Sequence, residues 1–307
     1  MSLLVVGSVA LDSVKTPFGE RAEVLGGSAT HFSMSASFFT QVNLVGVVGE
    51  DFPAEYIQLL RSYKIDLEGL KTSQGKTFRW AGSYLKNINE AETLNTQLNV
   101  FQHFNPEIPA QYKECRYVFL ANIDPEFQLS VLKQVQNPKL VACDTMNYWI
   151  WEKRGALLET FKKVNILVIN EVETRELAEE SNIVKAAKII LDWGPSYLIV
   201  KRGEYGVVVF TKQSTFSAPA YFLERVIDPT GAGDSFAGGF MGFLASRNAD
   251  VPFNDAIIRQ ATIMGSVMAS YNVEDFSLER LKTLNKQDII KRFAEFRELT
   301  NFDGNIS

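Results

Sequence analysis

The chain has 307 residues, 46% of them apolar and 22% charged, with 31 basic against 36 acidic side chains for a net charge of −5. That length and composition support a large buried core and exclude disorder, and the acidic balance gives no footprint for a nucleic-acid backbone. Two cysteines (Cys115, Cys143) cannot build a disulfide framework, and two histidines (His31, His103) without a close cysteine pair leave no His/Cys zinc donor set.

The first residues lack a basic segment, and their apolar run is broken by Gly7 and Asp12, so they read as a buried strand rather than a signal peptide. No window approaches the ~18 apolar residues of a membrane span. A cytoplasmic protein that binds neither membrane nor nucleic acid is expected. Asn305-Ile306-Ser307 is formally a glycosylation sequon, which has no meaning without secretion.

In chain order, residues 3–11 read as an apolar strand, 28–39 as a helix, and 42–48 as a strand closed by Gly49. Residues 52–64 place Tyr56, Leu59, Leu60 and Tyr63 on one helix face. The rhythm breaks between 71 and 102, where 77–85 is aromatic and β-favouring and 87–96 is polar. This excursion reads as a small sheet or lid; its Phe78, Arg79 and Trp80 would serve lid packing or a dimer contact, or, by the family resemblance described below, contact the acceptor. Compact apolar strands return at 117–121, 140–143, 166–169 and 197–200, and 206–210 reads as a hairpin partner of the last. Beyond Asp228, helices are expected at 234–246, 254–271 and 279–299. Strands alternating with helices predict βαβ units and a mostly parallel sheet. The expected organisation is one α/β domain over 1–307 with lid segments near 12–24 and 72–102.

Three familiar catalytic patterns fail. No G-x-S-x-G elbow occurs, and no G-x-G-x-x-G follows the first strand. Gly75-Lys76-Thr77 resembles the end of a phosphate-binding P-loop, but the required upstream glycine position holds Leu70, and a strand rather than a helix follows.

The informative stretch runs from Asp228-Pro229-Thr230-Gly231-Ala232-Gly233-Asp234 to Gly238-Gly239-Phe240. Small residues lead into a helix, so the Gly231, Ala232 and Gly233 amides would stand uncovered at its positive end, as an anion hole for phosphate. Gly238 and Gly239 would allow tight packing one turn later. Asp234 sits where a general base is useful, although an aspartate there also reads as a helix cap. A helix N-terminus lowers a carboxylate's pKa, so a weak base acting by position is expected.

This string resembles the signature of the ribokinase-like (PfkB) family of carbohydrate and nucleoside kinases, and the resemblance covers essentially the whole chain. It implies a three-layer α/β/α fold with a small β lid, and an ATP-dependent phosphotransferase acting on an alcohol. The acceptor would be a sugar or sugar derivative, with a nucleoside as the alternative and a non-catalytic binding protein as a further one. Asp234 would be the base, with Gly231, Ala232 and Gly233 holding the transferring phosphate. Asp12, Gly26, Gly27 and His31, where the family usually has asparagine, would bind the acceptor. Lys201, Gly203, Gly206 and Thr230 would bind the nucleotide, with the basic pair Lys201 and Arg202 attracting ATP and residues 269–272 near the adenine. Asn170 and Glu173 resemble the N-x-x-E element that organises Mg2+. The resemblance is compatible with a monomer or a lid-mediated homodimer.

Overall fold

The computed structural model describes residues 2–247 and 253–301; the sequon at 305–307 lies outside them. In chain order the elements begin β1 (Ser2–Val6), β2 (Ala10–Thr16), β3 (Gly19–Gly26), α1 (Ser28–Ser37), β4 (Gln41–Gly49), α2 (Ala54–Ser62) and β5 (Ile65–Ser73). Then follow β6 (Phe78–Ser83), β7 (Glu92–Gln97), β8 (Tyr117–Leu120), α3 (Pro125–Gln134), β9 (Leu140–Cys143), α4 (Asn147–Glu152), α5 (Arg154–Phe161) and β10 (Ile166–Asn170). The last part holds α6 (Glu171–Ala178), α7 (Ile183–Asp192), β11 (Tyr197–Lys201), β12 (Val207–Phe210), β13 (Thr215–Ala218), α8 (Ala232–Ser246), α9 (Asp255–Asn272), α10 (Glu279–Lys282) and α11 (Lys286–Thr300).

Nine strands form the main sheet in the order β13-β12-β11-β10-β9-β8-β1-β4-β5. Its pairs are parallel from β11 through to β5, and only the β11–β12–β13 edge is antiparallel. Every residue of β8 and β9 is buried. Helices cover both faces, so these strands read as continuous apolar runs rather than alternating ones. One face packs α1, α2 and α8 to α11 through Phe32, Leu60, Phe240, Met268 and Phe296. The other packs α3 to α7 through Val131, Ile150, Leu157, Leu177 and Ile190. The result is the expected three-layer α/β/α arrangement. Gly238 and Gly239 seat α8 between its neighbours: a Cβ at Gly238 would strike the Phe32 carbonyl of α1, and one at Gly239 would approach Met268 Cγ of α9 to 2.6 Å.

A second sheet, β3-β2-β6-β7, stands beside the main one. The expected strand at 3–11 is therefore two strands. The chain leaves the main sheet at Gly7, which abuts Ala121 and Ser28, and enters the second sheet, the expected lid, at Ala10. The helix expected at 279–299 is also two, because Asn285 and Asp288 form a capping box that starts α11 afresh. Cys115 and Cys143 are buried free thiols. Thr77, the last residue of the rejected P-loop pattern, leads into β6, where its amide and hydroxyl both donate to Asp51 Oδ1 at 2.7 Å.

Candidate active site

The Pro229 carbonyl accepts from the Ala232 amide at 3.1 Å, and Gly231 takes a left-handed φ of 73° in that turn, which glycine adopts without steric cost. A Cβ at Gly231 would fall inside the His31 ring. Among the described residues the Gly231, Gly233 and Asp234 amides have no backbone partner. The Ala232 amide, expected to face an anion with its neighbours, is engaged by the turn itself. The open amides stand at the N-terminus of a 15-residue helix, whose dipole favours an anion.

The loop is held from three sides. Asp228 Oδ1 accepts from the Thr230 amide at 2.9 Å, and its Oδ2 accepts from the Ser277 amide at 3.1 Å. Asn272 Nδ2 donates to the Thr230 carbonyl at 2.8 Å. Asn272 Oδ1 accepts from Ser235 Oγ at 2.9 Å and faces His31 Nδ1 at 3.0 Å. That pattern places the histidine proton on Nδ1. His31 is 2% exposed, and burial lowers its pKa, so the ring is neutral. Asn272, in the segment 269–272 expected near the adenine, braces the glycine loop through His31, Ser235 and Thr230.

Asp234 lies in the first turn of α8. Burial pushes its carboxyl up to about 7, with Asp144 adding to the rise and Lys201 opposing it. The expected lowering by the helix N-terminus is overturned, because desolvation and a second carboxylate outweigh the helix dipole. Asp12 stands across the site at 6% exposure, its Oδ2 accepting from the Gly27 amide at 3.2 Å. Burial raises it to about 7 against that hydrogen bond, with Asp228 and Asp234 adding repulsion. A Cβ at Gly26 would overlap the Asp12 carboxylate, so this glycine makes room for the acid.

On the other side of the loop, Lys201 leaves β11 with Nζ 3.4 Å from Asp144 Oδ2, and a Cβ on Gly233 would sit 2.8 Å from that ammonium. Burial opposes the lysine's charge, yet Asp144, Glu173 and Asp234 together hold its pKa above the usual value. Asn170 and Glu173 form a capping box on α6, exchanging two 2.8 Å hydrogen bonds. Burial, then Asp144, raises Glu173 to about 8, and burial also raises Asp144. Both members of the basic pair have carboxylate partners: Lys201 pairs with Asp144 and Arg202 with Glu171 at 2.6 Å. Gly203 and Gly206 turn with φ of 56° and 89°, and the lid residue Asn89 reaches this turn, donating from Nδ2 to Glu204 Oε1 at 3.0 Å.

Two functional candidates come from segments with no motif. Asp144 follows a short buried strand, and Tyr84 directly follows β6 with its hydroxyl 3.4 Å from Thr230 Oγ1. Each is brought to the site by folding alone; a lone acid or tyrosine at a strand end is the only local signal. Of the lid candidates, Arg79 is committed to ion pairs with Glu23 and Asp51, and Phe78 stacks on Phe101 at 5.2 Å between ring centres.

Among the described residues no helix is long and apolar enough to cross a membrane. Residues 7–280 match the model of the pfkB family carbohydrate kinases. A cytidine kinase from Thermococcus kodakarensis is 31% identical over 247 residues, covering 78% of this chain and 87% of the relative. A nucleoside kinase from Methanocaldococcus jannaschii is 27% identical over 237 residues, covering 75% and 72%. Among solved structures, ribokinase from Giardia lamblia aligns with a TM-score of 0.81 at 18% identity, covering 96% of this chain and all of that one. The M. jannaschii nucleoside kinase structure aligns with a TM-score of 0.76 at 23% identity, covering 96% and 98%. The glycine loop, the buried aspartate and these matches converge on one assignment: the chain belongs to the PfkB family and is a phosphotransferase with the ribokinase fold.

Proposed function

We propose that this protein transfers the γ-phosphoryl group of ATP to a hydroxyl of a nucleoside, with Asp234 as general base. The reading rests above all on one juxtaposition: a buried carboxyl raised to about 7 stands beside unpaired amides at a helix N-terminus. Such a base is half ionised near neutral pH, where proton removal from an alcohol is most effective. The nucleoside, rather than a free sugar, is supported by the relatives named as cytidine and nucleoside kinases.

In this reading Asp12 accepts hydrogen bonds from two neighbouring acceptor hydroxyls, and Asp234 takes the proton of the third as it attacks. The Gly231 and Gly233 amides and the Lys201 ammonium receive the charge on the transferring group. The Gly203–Gly206 turn and Thr230 border the donor, and His31 braces the loop from beneath.

Asp144 and Glu173 are two buried carboxyls, both raised by burial and Glu173 further by Asp144, a donor set that fits a hard divalent cation keeping some of its waters. They would hold Mg2+, with Asn170 orienting Glu173. When bound, the ion neutralises phosphate charge.

Asp234→Asn keeps the shape of the side chain and removes its basicity. Turnover should fall ~10²-fold or more, with ATP affinity by titration calorimetry and melting temperature retained. Near-normal turnover in this variant would remove Asp234 from the role.

A further inference from the structure

The lid sheet carries a feature that phosphoryl transfer does not use. Its four strands bring Val24, Asp12, Trp80 and Thr96 to one register level. Residues paired across neighbouring strands project to the same face. Asp12 aims into the site, so Trp80 is its neighbour on the acceptor-facing side, about 4.8 Å away across the sheet. The indole lies flat along its strand, since a Cβ at Gly82 would overlap the ring. Its Nε1 donates to Thr93 Oγ1 on β7 at 3.2 Å, which fixes the ring's rotation and satisfies its polar edge. One π-face rests on Gly82, and among the described residues no ring or cation stacks on the other. Strand β7 beyond it is exposed along its whole length, so the sheet is open next to the indole.

We propose that Trp80 is the stacking platform for the base of a nucleoside acceptor and the residue that favours a nucleoside over a free sugar. This rests on the kinase reading above. A pentose gripped by Asp12 would leave the open face of the half-buried indole uncovered, whereas a nucleoside covers both, its ribose on the carboxylate and its base on the ring. Stacking accepts any π-face, so Trp80 selects for the presence of a base rather than for one base.

The test compares kcat/KM for cytidine, adenosine and ribose in the wild-type protein, Trp80→Ala and Trp80→Phe, with nucleoside affinity measured separately by calorimetry. The preference for nucleosides over ribose should fall ~10-fold or more in Trp80→Ala, chiefly through KM, and Trp80→Phe should restore most of it. An unchanged preference, or an equal loss with all three acceptors in both variants, would overturn the platform while leaving the kinase reading intact. Nucleosides that bind without turnover would still report on Trp80 through the affinity difference. Wild-type protein that neither binds nor phosphorylates nucleosides would overturn the platform and the nucleoside reading together.

Discussion

Asp234 and Asp12 are both raised to about 7, by burial first. A general base works only when ionised, so a raised value predicts activity that is lost as pH falls. The kcat/KM profile should rise through an acidic limb near pH 7, well above the range of an ordinary aspartate. A profile flat from pH 5 to 8 would contradict the burial-driven shift. Residue chemistry was legible in the sequence only where a motif carried it. The thirteen-residue string placed Asp234 and its glycines, but its pKa depends on Asp144, which lies 90 positions upstream in the chain and enters the site only through β9. The same reason hid Tyr84, and it hid the role of Asn272, whose partners His31, Ser235 and Thr230 come from α1, α8 and the loop before α8.

At the scale of elements, the entry to α8 is the most constrained turn. Gly231 combines a positive φ with contact against the His31 ring, so Gly231→Ala adds both backbone strain and a clash. We expect a loss of about 2 kcal/mol or more in denaturant unfolding, together with lost turnover. A stable, active variant would show that the loop is looser than the geometry requires. Strand positions in the second half were legible because buried parallel strands are short unbroken apolar runs, as in residues 117–120 and 140–143. β3 was not, because five of its eight residues are exposed and it has no apolar run. The break between α10 and α11 was missed although Asn285 signals it, since the apolar spacing carries on through the cap.

For the whole molecule, the second sheet and its loop, the lid in the proposed reading, are tied to the body at two places. Asp51, on the loop after β4, binds Thr77 and pairs with Arg79 at 2.8 Å at the root of β6. Asn89 reaches the Gly203–Gly206 turn at the far end. A lid held shut keeps water from the donor phosphate. Asp51→Ala leaves the Thr77 amide and Arg79 without this partner, so acceptor KM should rise ~10-fold and more ADP should form per phosphorylated product. An unchanged KM and product ratio would mean that the root does not control closure.

The central claim is phosphoryl transfer to a nucleoside hydroxyl by Asp234. Its most direct test is to incubate the protein with Mg-ATP and cytidine or adenosine, then follow nucleoside monophosphate by mass spectrometry beside the Asp234→Asn variant. The account predicts stoichiometric monophosphate and ADP from the wild-type protein and ~10²-fold less from the variant. No monophosphate from either nucleoside, or equal amounts from both proteins, would contradict it.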